Sequence, residues 1–107
     1  MSKSTAPEID VEELAAARES SVLVDVREPA EYAAGHVPGA VPIPMSELAD
    51  RMDEIDKASP VFVICASGNR SAAMTDLLRA AGFDAVSVAG GTTAWEHSGR
   101  PLEGGLA

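Results

Sequence analysis

Residues 61 to 82, VFVICASGNRSAAMTDLLRAAG, restrict the fold more than any other stretch of this chain. The uninterrupted apolar run Val61-Phe62-Val63-Ile64 reads as a buried strand ending on Cys65. Small or polar residues follow, Ala66-Ser67-Gly68-Asn69-Arg70, and read as a tight loop. From Ser71 a helical spacing takes over, with Met74, Leu77, Leu78 and Ala81 at i, i+3, i+4 and i+7. Gly82 is placed to close that helix as its C-cap.

This strand–loop–helix unit puts the only cysteine of the protein at the carboxyl end of a central strand, with a helix N-terminus pointing back at it. Backbone N–H groups and the positive end of a helix dipole then converge on one sulfur. Such surroundings favour a thiolate over a thiol. Ligands of open α/β sheets also bind beyond the carboxyl ends of the strands. A lone cysteine is ordinarily a small core hydrophobe. The strand-end position, before a glycine-containing loop with an arginine, argues for reactivity instead.

The rest of the chain alternates in the same way. Glu8-Ile9 can form a short leading strand, and Asp10 with Glu13 resembles a capping box for a helix through Val11, Leu14 and Ala15. Residues 22 to 27 read as a strand, with Val22, Val24 and Val26 on one face and Leu23, Asp25 and Arg27 on the other. Pro29 suits the first turn of a short helix over 30–34 that Gly35 ends. His36-Val37-Pro38-Gly39 is a turn, and Ala40 to Pro44 is a strand whose two prolines suit an edge. Ser46 is expected to cap a helix over 46–55, with Met45, Leu48, Met52 and Ile55 as its apolar stripe. Ala85 to Val88 is a last strand, followed by a tight turn at Gly90-Gly91. Thr93 with Glu96 then reads as a capping box for a final helix carrying Trp95. The sum is an α/β domain with a mainly parallel sheet of four or five strands flanked by helices.

At 107 residues there is material for one domain. One cysteine allows no internal disulfide, which fits a reducing compartment. No apolar run reaches a membrane span, and the N-terminal MSKSTAPEID lacks the apolar core of a signal peptide, so a cytoplasmic location is expected. A net charge of −9 argues against nucleic acid or an anionic membrane as partner. His36, His97 and Cys65 lack metal-ligand spacing, so no metal and no cofactor is expected. His36 reads as a turn-fixing residue rather than a general base.

A thiolate ringed by N–H donors suits attack on the outer sulfur of a sulfur donor, or on the phosphorus of a phosphate ester. Arg70 adds a planar donor fork for an oxyanion. The spacing from Cys65 to Arg70 is C-x4-R, shorter than the C-x5-R of cysteine phosphatases, and matches a terminal sulfur better than a tetrahedral phosphate.

Three segments, residues 22–44, 61–83 and 86–102, carry the signatures D-V-R-x-x-x-E-Y-x-x-G-H-x-P-G-A, C-x-x-G-x-R-S and A-G-G-x-x-A-W. In this order and spacing they resemble the single-domain rhodaneses, the thiosulfate sulfurtransferase family. The resemblance implies a five-stranded rhodanese-like fold over residues 8–102; the polar residues 1–7 before it read as a flexible N-terminus and residues 103–107 after it as a C-terminal tail. The resemblance implies that Cys65 is the catalytic nucleophile and takes sulfane sulfur as a persulfide. The loop of Ala66, Ser67, Gly68, Asn69 and Arg70 would bind substrate, with Arg70 on the anionic part of the donor. Asp25, Arg27, Glu31 and Ser71 would support the loop. The implied partners are a sulfur donor, thiosulfate or a persulfide, and an acceptor: cyanide, a thiol or a sulfur-accepting protein. A non-catalytic interaction or sulfur-carrier module is the alternative, and a small cysteine phosphatase or arsenate reductase is a further one.

Overall fold

The computed structural model describes residues 5–105. The expected flexible N-terminus thus falls mostly outside the described residues, as does the end of the tail. The elements run β1 (Glu8–Ile9), α1 (Val11–Ala17), β2 (Val22–Asp25), α2 (Pro29–Ala34), β3 (Val41–Pro42), β4 (Val61–Ile64), α3 (Asn69–Ala80), β5 (Ala85–Val88) and α4 (Gly91–His97). The strands form one parallel sheet in the order β1-β5-β4-β2-β3.

That order follows from the burial of each strand. Every residue of β4 is buried, so β4 takes the centre, between β2 and β5. The short, proline-bearing β3 lies at an edge, where the missing N–H of Pro42 disrupts no inner ladder. The chain winds outward from β2 to β3, returns to β4, then winds the other way to β5. The reversal leaves a crevice beyond the carboxyl end of β4, where Cys65 sits.

Helices cover both faces. On one face Val61, Val63 and Cys65 of the β4 segment pack with Val24, Val26, Ala85, Leu78 of α3 and Phe83. On the other, Leu23, Phe62, Ile64 and Val88 pack with Val11 and Leu14 of α1, Tyr32 of α2 and Trp95 of α4. The alternation read from β2 is thus realised, although the strand itself ends at Asp25; Val26 adds one more ladder bond, its N–H donating to Ile64 O at 3.0 Å. The Asp10–Glu13 capping box is formed, with both reciprocal bonds present.

Two expected features differ. No α-helix spans 46–55; short 3-10 turns at Leu48–Asp50 and Met52–Glu54 replace it, and no side chain caps them. Acidic residues 50, 53, 54 and 56 crowd what would be the helix C-terminus, where the helix dipole disfavours negative charge. Arg51 instead gathers Glu47 and Glu54 around itself, at 2.8 Å each. The turns still bury Leu48 and Ile55, but Met45 is left 39% exposed. The Thr93–Glu96 capping box is also absent: α4 starts earlier, at Gly91. Its first amides are capped by carbonyls of the loop that begins at Cys65, as described below.

At the other terminus, the segment expected as a tail folds back. Glu103 and His36 exchange backbone hydrogen bonds of 2.8 Å in both directions, and Gly105 N–H donates to Ala33 O at 2.8 Å. Pro7 O likewise accepts from Ser87 N–H at 2.9 Å, so ordered pairing begins before β1. Among the described residues no helix is long and apolar enough to cross a membrane.

Candidate active site

Cys65 is 1% exposed and follows directly on β4. The loop after it curls so that the Gly68 N–H donates to Sγ at 3.1 Å. The amides of Ser67 and Ser71 are directed at the same sulfur. Gly68 stands at φ +106, a left-handed conformation that side chains rarely adopt, and a Cβ there would meet Gly90 N at 3.3 Å. Helix α3 therefore starts at Asn69, two residues before the apolar spacing sets in, with no side chain capping it. The N-cap position is Gly68 itself, and the first-turn amide of Ser71 favours the charged form of the nearby sulfur.

The loop is held from the opposite side by α4. Thr92 N–H and Oγ1–H donate to Cys65 O at 2.8 and 3.1 Å, and Thr93 N–H donates to Ala66 O at 3.1 Å. These carbonyls cap α4 in place of a side chain, which is why the Thr93–Glu96 box does not form. With its carbonyls engaged on one side, the loop turns its amides toward the sulfur on the other.

Burial penalises the Cys65 thiolate. The Ser71 hydroxyl, 3.5 Å from Sγ, and the amides of Ser71, Gly68 and Ser67 outweigh that penalty, so the thiol titrates below its ordinary value.

The charged residues singled out from the sequence assemble as two pairs. Buried Asp25 holds buried Arg27: Oδ1 accepts from Arg27 Nε at 3.0 Å and Oδ2 from Nη2 at 2.9 Å. Arg27 Nη2 also donates to Gly35 O at 2.7 Å, joining β2 to the end of α2. Glu31 of α2 receives Arg70 of α3 in a two-pronged pair, Nη1 to Oε1 at 2.7 Å and Nη2 to Oε2 at 2.9 Å. The hydrogen bonds from Arg70 bring Glu31 down to about 2, and Glu31 in turn raises Arg70. Arg70 was expected to face the anionic donor; in the structure two of its nitrogens are bound to Glu31.

Ser67 and Asn69 are exposed, Ala66 and Arg70 half-buried, and Gly68 buried. Beside Ala66 opens a groove of about 320 Å³ lined by Arg27, Glu31, Ala34, Gly35, Thr92, Thr93, Glu96 and Leu102. His36 is buried; its Nδ1–H donates to Tyr32 O at 2.8 Å and its ring stacks on Tyr32 at 3.6 Å between centroids. That bonding is the structural role read from the turn. Among the described residues no three of His, Cys, Asp or Glu are grouped as metal ligands.

Two contributors escaped the sequence reading. Thr92 falls between the turn at Gly90-Gly91 and the expected cap at Thr93 and has no role in the sequence reading; its part depends on the distant loop carbonyl to which it donates. Ser87, read only as a strand residue, is buried with its Oγ 2.8 Å from Ser71 Oγ. A serine at an inward position of a central strand is the signal that could have found it.

The model of the rhodanese-like domain matches residues 10–98. A sulfurtransferase of Allochromatium vinosum is 40% identical over 99 residues, covering 89% of this chain and 92% of its own. A rhodanese-related protein from Thermoplasma volcanium superposes with a TM-score of 0.87 at 34% identity, over 91% of this chain and 97% of that one. A rhodanese-like domain protein from Staphylococcus aureus does so with a TM-score of 0.83 at 36% identity, over 94% and 99%. With the cysteine loop, the parallel sheet and these matches in agreement, the chain belongs to the rhodanese-like domain family.

Proposed function

We propose that this chain is a sulfurtransferase that carries sulfane sulfur on Cys65 as a persulfide. The observation that carries the reading is the convergence of loop amides on Sγ, led by Gly68 N–H at 3.1 Å. In the first half-reaction the Cys65 thiolate attacks the outer sulfur of the donor. An Sγ–S bond forms as the donor's S–S bond breaks, and the donor leaves as sulfite or as a thiolate. In the second, cyanide or an acceptor thiolate attacks the outer sulfur, and the Sγ–S electron pair returns to Cys65. No proton need move in either step, so this chemistry asks for no general base beside Cys65.

The pairing of Arg70 with Glu31 bears on the choice of donor. A doubly charged thiosulfate must compete with Glu31 for the guanidinium and approach a chain of net charge −9. A persulfide donor makes a smaller demand on that cation. We therefore place a small-thiol persulfide ahead of thiosulfate as donor, with a thiol, free or on a protein, or cyanide as acceptor.

Intact mass after incubation with a small-thiol persulfide or with thiosulfate, repeated after cyanide, tests the reading. A gain of one sulfur that cyanide removes, and that Cys65→Ser abolishes without loss of fold, is expected. No uptake from either donor overturns it and favours the non-catalytic module; turnover of a phosphate ester would favour the phosphatase reading instead.

A further inference from the structure

A buried polar thread runs from the nucleophile into the sheet. Cys65 Sγ lies 3.5 Å from Ser71 Oγ, and Ser71 Oγ lies 2.8 Å from Ser87 Oγ. Ser71 and Ser87 are 0% exposed and Cys65 is 1% exposed. Ser87 pairs in register with Val63, two residues before Cys65, on the sheet face that α3 covers. Its neighbours on that face, Val61, Val63 and Ala85, are apolar. A hydroxyl there costs desolvation that an alanine would avoid.

The thread can be protonated in two directions. If Cys65 is a thiol, its S–H points to Ser71 Oγ, the Ser71 O–H points to Ser87 Oγ, and the Ser87 proton is left to find an acceptor inside the sheet. If Cys65 is a thiolate, Ser71 donates to Sγ and Ser87 donates to Ser71, so every hydroxyl proton is used. Leaving a buried donor unpaired is the costlier arrangement. Hydrogen bonds in series also polarise one another.

We propose that Ser87 is a positioning residue for sulfur transfer: it donates to Ser71 Oγ, commits the Ser71 proton to Sγ, and so holds Cys65 as the anion. This rests on Cys65 as the sulfur carrier. The same bias serves both half-reactions, since Sγ attacks as a thiolate in the first and departs as one in the second. Charged groups at this end of the sheet are Asp25 at the end of β2, Arg27 just beyond it, Glu31 on α2, Arg70 on α3 and Glu96 on α4; Asp25 is joined to Arg27 and Glu31 to Arg70. From β5 and α4 the loop meets the hydroxyls of Ser87 and Thr92.

The test is the pH dependence of Cys65 alkylation by iodoacetamide, which reads the thiolate without any sulfur donor. Ser87→Ala is expected to raise the midpoint by about half a unit to one unit, the equivalent of one hydrogen bond. Ser87→Thr, which keeps the hydroxyl, should restore it. In a Ser71→Ala background, Ser87→Ala should add nothing, because the intermediary is gone. Ser87→Val stands in if the alanine variant does not fold. An unmoved midpoint with only a lowered Tm means a packing role and overturns the proposal, as does an equal shift with Ser71 removed. If the midpoint moves but the wild type takes up no sulfur, the thread stands and the transferase reading fails.

Discussion

Replacing Gly91 by alanine should dismantle the site from outside it. Gly91 stands at φ +59, and a Cβ there would lie 2.7 Å from both the C and O of Ala66 and closer still to Cys65 O. Ordinary contact begins at 3.4 Å, so loop and helix must part by well over half an ångström. The left-handed backbone alone costs alanine about 1–2 kcal/mol. Separation also stretches the bonds from Thr92 and Thr93 to the loop carbonyls, each worth about 0.5–1.5 kcal/mol. Gly99→Ala is the matched control: its φ is +84 and its Cβ would meet nothing within 4 Å, so only the backbone cost applies. Gly91→Ala should therefore lose about 2 kcal/mol more than Gly99→Ala, a further fall in Tm of roughly 8–15 °C for a domain of this size. Sulfur uptake by whatever fraction remains folded should fall as well, because the displaced loop no longer aims its amides at Sγ. Thermal unfolding and mass measurement on both variants decide the matter. Equal losses in Tm, with sulfur uptake intact, would refute the clamp.

Other perturbations probe separate parts. Glu31→Gln should lower stability by about 1 kcal/mol near neutral pH, the pair being about a third exposed and so screened by solvent. Since the Glu31 carboxyl is depressed from 4.5 to about 2, this contribution is full above 4.5 and disappears as pH falls toward 2; acid titration of both proteins should show their Tm values converging over that window. The same variant frees Arg70, so its KM for thiosulfate should fall relative to that for a persulfide. Thr75 Oγ1 is buried with no hydrogen-bond partner, so Thr75→Val should raise stability by about 1 kcal/mol in denaturant melts. Leu78, fully buried between α3 and the sheet, should cost about 2–5 kcal/mol when cut to alanine, read by the same melts.

The sequence exposed those parts of the fold whose causes are local. The apolar run of β4, the alternation in β2, the Asp10–Glu13 cap and the Gly82 stop are each decided by side chains within a few positions. Cys65 at the strand end, with its loop, was legible for the same reason. What escaped detection depends on partners distant in the chain. The start of α3 is set by the left-handed turn at Gly68 packed against the Gly90 backbone, and that of α4 by carbonyls of residues 65 and 66, neither of which can be read from local sequence. The segment 46–55 has the apolar spacing of a helix, but its acidic C-terminal half decides against one. Glu31 and Arg70 were both recognised, yet their mutual pairing depends on how α2 and α3 are brought together by the sheet.

Both arginines at the site have a carboxylate in contact, so what steadies the sulfur anion is mainly amide and hydroxyl dipoles a few ångströms away. Dipoles at that range lie well inside the Debye length, about 8 Å at physiological ionic strength. Added salt can weaken the long-range repulsion between an acidic chain and an anionic donor, but it has little access to the local field at Sγ. Ionic strength should thus govern how often donor and sulfur meet while leaving the nucleophile itself almost unchanged, and the two effects can be separated by comparing a charged donor with a neutral alkylating agent across a salt series.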